Sequence, residues 1–302
     1  MALIGHNKQK RYFNSLIANG MLGHAYLFSG PEMIGKKTFT LELAKNILGD
    51  KFSQNPDFKL IAPKIEDDES KIYIEDIRDL KKFVSLKTYG GGRRIVIFDD
   101  AHNLTSEAAN AFLKVLEEPP IGSVIFLISS MPGLLPPTIL SRCEEVRFVG
   151  ANEKEMSNYL ADLAYLPAGQ AGRQAGKKIK QEDKEFLAKL AGGRIGLMER
   201  LISGDGILEA KKAVDDLRKL LNSGIYEKMD YAKKVHEKAL RHGSGYEDYH
   251  RLVDYWLNWV SANVRNSPKN EKIVKELLSL SSIVSQPQFN HRLALENFLL
   301  NL

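Results

Sequence analysis

Residues 30–38 read Gly-Pro-Glu-Met-Ile-Gly-Lys-Lys-Thr and follow a short apolar run, Ala25–Ser29. The spacing of Gly30, Gly35 and Lys36 is that of a phosphate-binding loop, G-x-x-x-x-G-K-[ST], in which backbone N–H groups and the lysine hold phosphates. Such a loop needs a strand before it and a helix after it, because the helix N-terminus adds its dipole to the backbone donors. The following segment, Thr38–Leu48, supplies a helical pattern with Phe39, Leu41, Leu43, Ala44, Ile47 and Leu48. A strand–loop–helix unit of this kind commits the first part of the chain to an α/β layer. The motif is nevertheless incomplete. Lys37 stands where a Ser or Thr hydroxyl would bind Mg²⁺. Thr38 comes one residue late, which rotates its hydroxyl by about 100° on a helix. Met33 occupies a place where related loops often carry another glycine, and Glu32 sets a carboxylate near the expected phosphates.

A second element has matching chemistry. Ile95–Phe98 is a continuous apolar strand closed by Asp99 and Asp100. In a nucleotide site the first acid, Asp99, would hold Mg²⁺ through water. The second would polarise the attacking water, where a Glu is common. Asp100 is one methylene shorter, and a misplacement of about 1 Å can cost about 100-fold in rate. The plain alternative is a polar strand end with a capping acid. Downstream, Thr105 can N-cap a helix with apolar face Ala108, Phe112, Val115 and Leu116, stopped by Pro119-Pro120. Val124–Ile128 reads as another buried strand. Apolar strands separated by helices indicate a parallel sheet covered on both faces.

After Gly150 helical periodicity dominates. The pattern divides the chain into an α/β domain at 1–150, a small all-helical domain at 151–205 and an all-helical C-terminal domain at 206–302. Residues 167–176, Pro-Ala-Gly-Gln-Ala-Gly-Arg-Gln-Ala-Gly, repeat a small-residue unit that cannot bury a core, so they read as a flexible insert. Tyr249, Leu252, Val253, Trp256 and Val260 recur at helical spacing, which makes Trp256, and with it Trp259, core or interface rather than base-stacking residues. The acidic run Glu66–Glu69 reads as a solvated loop.

Bulk properties narrow the partners. A net charge of +5 tolerates an anionic partner without demanding one. The single cysteine, Cys143, excludes an intrachain disulfide and a multi-cysteine zinc site, and points to the cytosol. No apolar run approaches the roughly 18 residues of a membrane span, and the N-terminus has no signal-peptide core. Finally, Ser141-Arg142-Cys143 places an arginine that is either a surface charge or a finger stabilising charge on a neighbour's nucleotide.

Several segments together resemble the AAA+ clamp-loader subunits of bacterial DNA polymerase III. They are Ile4-Gly5-His6, His24-Ala25-Tyr26-Leu27-Phe28-Ser29-Gly30-Pro31, Asp99-Asp100-Ala101-His102, the run from Ala108 to Glu117-Glu118-Pro119-Pro120, the Leu135–Cys143 stretch, and Asn290–Glu296. The Asn-Ala-x-Leu-Lys-x-Leu-Glu-Glu-Pro-Pro and Ser-Arg-Cys segments are the specific ones. The resemblance implies an AAA+ P-loop domain with a parallel sheet, then a helical lid and a helical collar that packs into a five-subunit ring. Its partners would be motor (tau/gamma) and delta subunits, the sliding clamp, and primed DNA through the complex, in the cytoplasm and away from membranes. Arg142 would be an arginine finger in trans, and Ser129 or Ser130 would stand at the sensor-1 position.

The departures from that family define the expected role. The zinc-binding cysteines of many members are absent between Gly49 and Asp57, so no zinc or other metal site is expected. Ile195 takes the sensor-2 position, with Arg194 one residue early. Gly30, Gly35, Lys36, Lys37 and Thr38 form a degenerate loop, with Asp99 and Asp100 as its acidic counterpart. The expectation is a stator with no ATPase activity of its own and no required cofactor, able to bind ATP or ADP without hydrolysis. The alternatives are an ATP-hydrolysing tau/gamma-like motor, another class of P-loop protein, and a protein whose main role is DNA binding. The charge is too modest for the last, and no reading motif is present.

Overall fold

The apolar runs become the inner strands of a parallel sheet, in a computed structural model that describes residues 3–66, 69–89, 92–163, 180–202, 206–242, 245–262, 268–284, 286 and 289–302. The small-residue segment 167–176 lies outside the described residues, as do 67–68 of the acidic run. The chain divides into two compact units: Met1–Glu155 with Gly193–Gly196, and Met156–Gly192 with Leu197–Leu302. The regions read from sequence as lid and collar both fall mainly in the second.

In the first unit, α1 (Asn7–Ala18) precedes β1 (Ala25–Ser29) and α2 (Lys36–Leu48). Then come β2 (Phe58–Ile61), a small hairpin of β3 (Lys64–Glu66) and β4 (Glu69–Lys71), α3 (Ile74–Ser85) and β5 (Arg94–Phe98). The unit continues with α4 (Ser106–Glu117), β6 (Ser123–Ser129), the single-turn α5 (Pro137–Leu140) and β7 (Glu144–Arg147). The sheet order is β2-β5-β6-β1-β7, with every pairing parallel. Every residue of β1, β5 and β6 is buried.

Strand side chains alternate between faces, so each inner strand feeds two cores. Ala25, Leu27, Val96, Phe98, Ile125 and Leu127 pack with α3 and α4, through Ile77, Leu80, Phe112 and Leu116. Tyr26, Phe28, Ile95, Ile97, Val124 and Phe126 pack instead with Phe13 of α1 and with Phe39, Leu43 and Ala44 of α2. Thr105 caps α4, its side chain accepting from the Ala108 amide.

The described secondary-structure elements of the second unit are all helices. It takes in α6 (Glu153–Leu163) from Met156 onward, α7 (Gln181–Ala191) and α8 (Ile195–Ile202) from Leu197 onward. The longer helices α9 (Gly206–Leu220), α10 (Ile225–His242), α11 (Gly245–Ala262) and α12 (Pro268–Val284) follow, and then α13 (His291–Asn301). Trp256 of α11 is fully buried, its indole N–H donating to the Ala213 carbonyl at 2.7 Å, with the Tyr231 and Phe298 rings stacked beside it. Trp259 packs against Phe186 and beneath the Arg218 guanidinium. Both tryptophans are thus occupied by intramolecular contacts. No helix of the described residues is long and apolar enough to cross a membrane.

Candidate functional site

The phosphate-type loop connects β1 to α2 at the carboxyl ends of the strands, where open parallel sheets place their ligand crevice. Its backbone is held in conformations that few residues tolerate. Gly30 has φ +140°, and a Cβ there would lie 2.3 Å from the Phe148 carbonyl oxygen, so only glycine fits. Gly35, the residue before the first turn of α2, has φ 97°. Met33 adopts φ 59°, a left-handed value that costs a side-chain-bearing residue about 1–2 kcal/mol. Met33 thus holds a conformation that glycine would adopt without this strain. The only other non-glycine residues of the described chain with positive φ are His6 (56°) and Asp100 (45°), and both belong to the same site. Left-handed strain of this kind clusters at ligand clamps and active sites.

Part of what holds the loop comes from the N-terminal segment. The His6 ring nitrogen Nε2 hydrogen-bonds the Ile34 carbonyl at 2.7 Å, and the ring packs edge-on against Phe148. Burial lowers the His6 pKa, against the opposing effect of its hydrogen bond to the Ile34 carbonyl. Met33 is braced from another side, its carbonyl accepting from the Gly196 amide at 2.8 Å.

The loop borders a cavity of about 340 Å³. Glu32, Lys36, Lys37, Thr38, Asp99 and Asp100 supply its polar wall, and Leu3, Ile4, Ile34, Ile128 and Ile195 its apolar one. Sequence reasoning brought Gly35, Lys36, Lys37, Thr38, Asp99 and Asp100 to one place, and the structure places them there. Ile195, at the expected sensor-2 position, offers this cavity a hydrocarbon side chain rather than a charge.

Lys36 is buried and its ammonium donates to the Gly30 and Pro31 carbonyls, both at 2.5 Å. Burial pushes its pKa from the ordinary 10.5 to about 8, against the opposing pull of Glu32, Asp100 and Asp99. Between those two values the unfolded chain binds the proton that the folded chain releases. Lys36 therefore favours folding more as pH rises through that window, and the gain is lost as pH falls through about 8. Thermal unfolding of the wild type and Lys36→Met on both sides of the window should show the stability difference moving toward the wild type at high pH. A difference that does not change with pH would contradict the buried-ammonium geometry.

The acidic strand end is where a divalent cation would be expected. Instead, the Lys37 Nζ lies 2.7 Å from Asp99 Oδ2. The residue that should supply a hydroxyl to Mg²⁺ thus supplies a cation to the same carboxylate. A hard divalent ion needs oxygen ligands, and here its place beside Asp99 is taken by an ammonium. The residues do not fit Mg²⁺. Asp100, half-buried, has its carboxyl pushed upward by burial and by the neighbouring Asp99.

The serines at the end of β6 separate. Ser129 is fully buried, accepting from the Met131 amide at 3.2 Å and lying 3.3 Å from His102 Nδ1. Ser130 donates to Glu32 at 3.3 Å, so the Glu32 carboxylate is drawn toward β6. Arg142 is not among the residues lining the cavity. Its guanidinium donates to Glu117 Oε1 at 2.8 Å and to the Thr138 carbonyl at 2.9 Å, while remaining partly exposed. Cys143 packs against the core of the α3–α4 face, and burial pushes its thiol up to about 12.

Comparison with known proteins identifies the family. The family profile for "DNA polymerase III, delta subunit" matches residues 5–152. The DNA polymerase III subunit delta' of Pseudomonas aeruginosa is 30% identical over 235 residues, covering 72% of this chain and 67% of that protein. The tau/gamma subunit of Haemophilus influenzae is 33% identical over 163 residues, but these are 49% of this chain and 24% of that protein. The chain thus spans two thirds of the length of the first relative and a quarter of the second. A crystal structure of a DNA polymerase III gamma subunit-related protein from Thermotoga maritima shares the fold, with a TM-score of 0.52 at 22% identity over 95% of this chain and 97% of that one. The first unit is an α/β domain built on a parallel sheet and followed by a helical region, and the chain belongs to the clamp-loader family of DNA polymerase III subunits, in its delta-prime class.

Proposed function

We propose that the chain is the non-hydrolysing stator of a clamp loader, lending Arg142 to the nucleotide site of an adjacent motor subunit. The observation that carries this reading is the Lys37–Asp99 ion pair, because phosphoryl transfer depends on a divalent ion at that carboxylate. Two further features agree with it. Asp100 is short for a water-polarising acid and its carboxyl is pushed toward the protonated state. Ile195 brings no charge to the cavity.

Arg142 has the opposite character. It does not border its own chain's cavity, it is partly exposed, and Glu117 and the Thr138 carbonyl hold its guanidinium in a defined direction. An arginine serving a neighbour needs just such a preset orientation. In this reading the subunit sits in a five-subunit ring with tau/gamma motor and delta subunits, and the assembly places the sliding clamp on primed DNA. The chain needs no metal or cofactor for that role, and any ATP or ADP in its own loop is bound without hydrolysis.

In a reconstituted loader, Lys36→Ala in this subunit should leave clamp loading nearly unchanged. A collapse of loading, with assembly intact, would show that nucleotide chemistry in this loop drives the machine and would contradict the stator role.

A further inference from the structure

We infer that the Lys37 ammonium, paired with Asp99, is a built-in replacement for the divalent cation, so that this loop binds a nucleoside di- or triphosphate free of metal. The inference rests on reading the chain as a non-hydrolysing subunit and goes on to say what its own site still does.

The loop's backbone has been kept. A loop that had lost all ligand contact would be free to relax its backbone. Here Gly30 remains where a Cβ would strike the Phe148 carbonyl at 2.3 Å, and Met33 and Asp100 are held at left-handed φ values of 59° and 45°. Those conformations keep the amides of residues 35–38 at the start of α2, at the positive end of the helix dipole. Lys36 is retained, buried at the loop, where its ammonium can exchange the Gly30 and Pro31 carbonyls for phosphate oxygens.

What has changed is the cation. A nucleotide polyphosphate near Glu32, Asp99 and Asp100 would meet like charge, and in a motor subunit the divalent ion offsets it. Lys37 is tethered 2.7 Å from Asp99 and lines the same cavity, with about half of its side chain exposed. It neutralises Asp99 and has two further N–H donors for phosphate oxygens. A single positive charge without Lewis acidity can hold a polyphosphate, but it cannot organise in-line transfer as a metal does. Binding without turnover is then the direct consequence of one side chain. The apolar wall of Leu3, Ile4, Ile34 and Ile195 is suited to a nucleoside rather than to bare phosphate.

The test is calorimetric titration of the full chain with ATP, ADP and pyrophosphate, each in Mg²⁺ and in EDTA. The wild type should bind both nucleotides with affinities that agree within about twofold in the two media, and pyrophosphate more weakly. Lys37→Gln should weaken nucleotide binding about tenfold or more in EDTA, the scale of one lost charged hydrogen bond. Lys37→Thr should show the same loss in EDTA and recover it in Mg²⁺, since a hydroxyl beside Asp99 recreates a metal site. Lys37 is partly exposed, so neither variant threatens the fold, and circular dichroism melting of each provides the check. The inference is overturned if wild-type binding disappears in EDTA, if no nucleotide binds in either medium, or if Lys37→Gln binds like the wild type. It is also overturned, in favour of a general anion site, if pyrophosphate binds as tightly as the nucleotides. Turnover of ATP by the chain alone, measured beside binding, separates this inference from the reading it rests on: Mg²⁺-dependent binding without turnover overturns the inference and leaves the non-hydrolysing role standing, whereas turnover removes both.

Discussion

Replacing Arg142 by Ala should leave the subunit folded and assembled, yet, as the proposed finger in trans, slow ATP hydrolysis at one neighbouring motor site by about 10³-fold. The side chain is partly exposed and outside both cores of the parallel sheet, so its removal opens no cavity. Its partner Glu117 lies at the exposed C-terminal end of α4 and loses only a surface ion pair, worth about 0–1 kcal/mol. The cost should therefore fall on the neighbour's transition state and not on this chain's stability. Other motor sites in the ring would mask part of the loss in bulk turnover, so single-turnover hydrolysis is the sharper readout. An unchanged rate in the assembled complex would remove the finger assignment. Arg142→Lys should rescue little, because an ammonium cannot reproduce the planar fork that Glu117 and the Thr138 carbonyl now orient.

A second substitution should act on the fold instead. Arg94, at the start of β5, is almost fully buried and donates to Asp57 Oδ1 through Nε (3.2 Å) and Nη2 (2.8 Å). Its remaining N–H groups reach the carbonyls of Val84, in the last turn of α3, and of Leu86 and Lys87 just beyond it, and its guanidinium lies 4.8 Å from the centre of the Phe83 ring. Asp57 is equally buried and accepts the Tyr89 amide through its other oxygen. The pair thus ties the chain leaving α3 to the sheet edge. Arg94→Met would strand a buried carboxylate and three carbonyls, a loss of about 3–5 kcal/mol. That is a large share of the ~5–15 kcal/mol holding a typical domain together. Urea unfolding of the two proteins measures it directly, and a loss under about 1 kcal/mol would show that the pair is dispensable. Adding Asp57→Asn should return part of the loss, since the stranded charge is then gone.

The two large effects differ in how far the sequence announces them. Arg142 stands out because Ser-Arg-Cys is a specific local signature. Arg94 and Asp57 are far apart in sequence and unremarkable in isolation; only the pairing of β2 with β5 brings them together. The same distinction runs through the fold. The inner strands were legible because burial on both faces leaves continuous apolar runs, and Thr105 because its cap is a local hydrogen bond. The edge strand β2 is short and mixes Lys59 with apolar neighbours, so its pattern is weak, whereas α3 has Ile77, Leu80 and Val84 at helical spacing, a signal that periodicity can find.

At the site the residues were legible but their arrangement was not. Gly30, Gly35, Lys36 and Asp99 are visible as motifs. That Lys37 would turn toward Asp99, and that Met33 would take the glycine conformation, depends on how β1 and β5 sit in the sheet around β6. His6 carried a signal too, in the Ile4-Gly5-His6 segment, although nothing local says that its ring would brace the Ile34 carbonyl. A lysine read from sequence as a lost hydroxyl becomes, in three dimensions, a cation placed against the acid that would have held the metal.

The most direct test of the account is ATP turnover by the purified chain in Mg²⁺, alone and then mixed with a motor subunit from the same organism. The account predicts no turnover by the chain alone, and turnover in the mixture that falls when Arg142 is replaced by Ala. Robust Mg²⁺-dependent turnover by the chain alone, abolished by Lys36→Ala, would contradict it and make this subunit a motor.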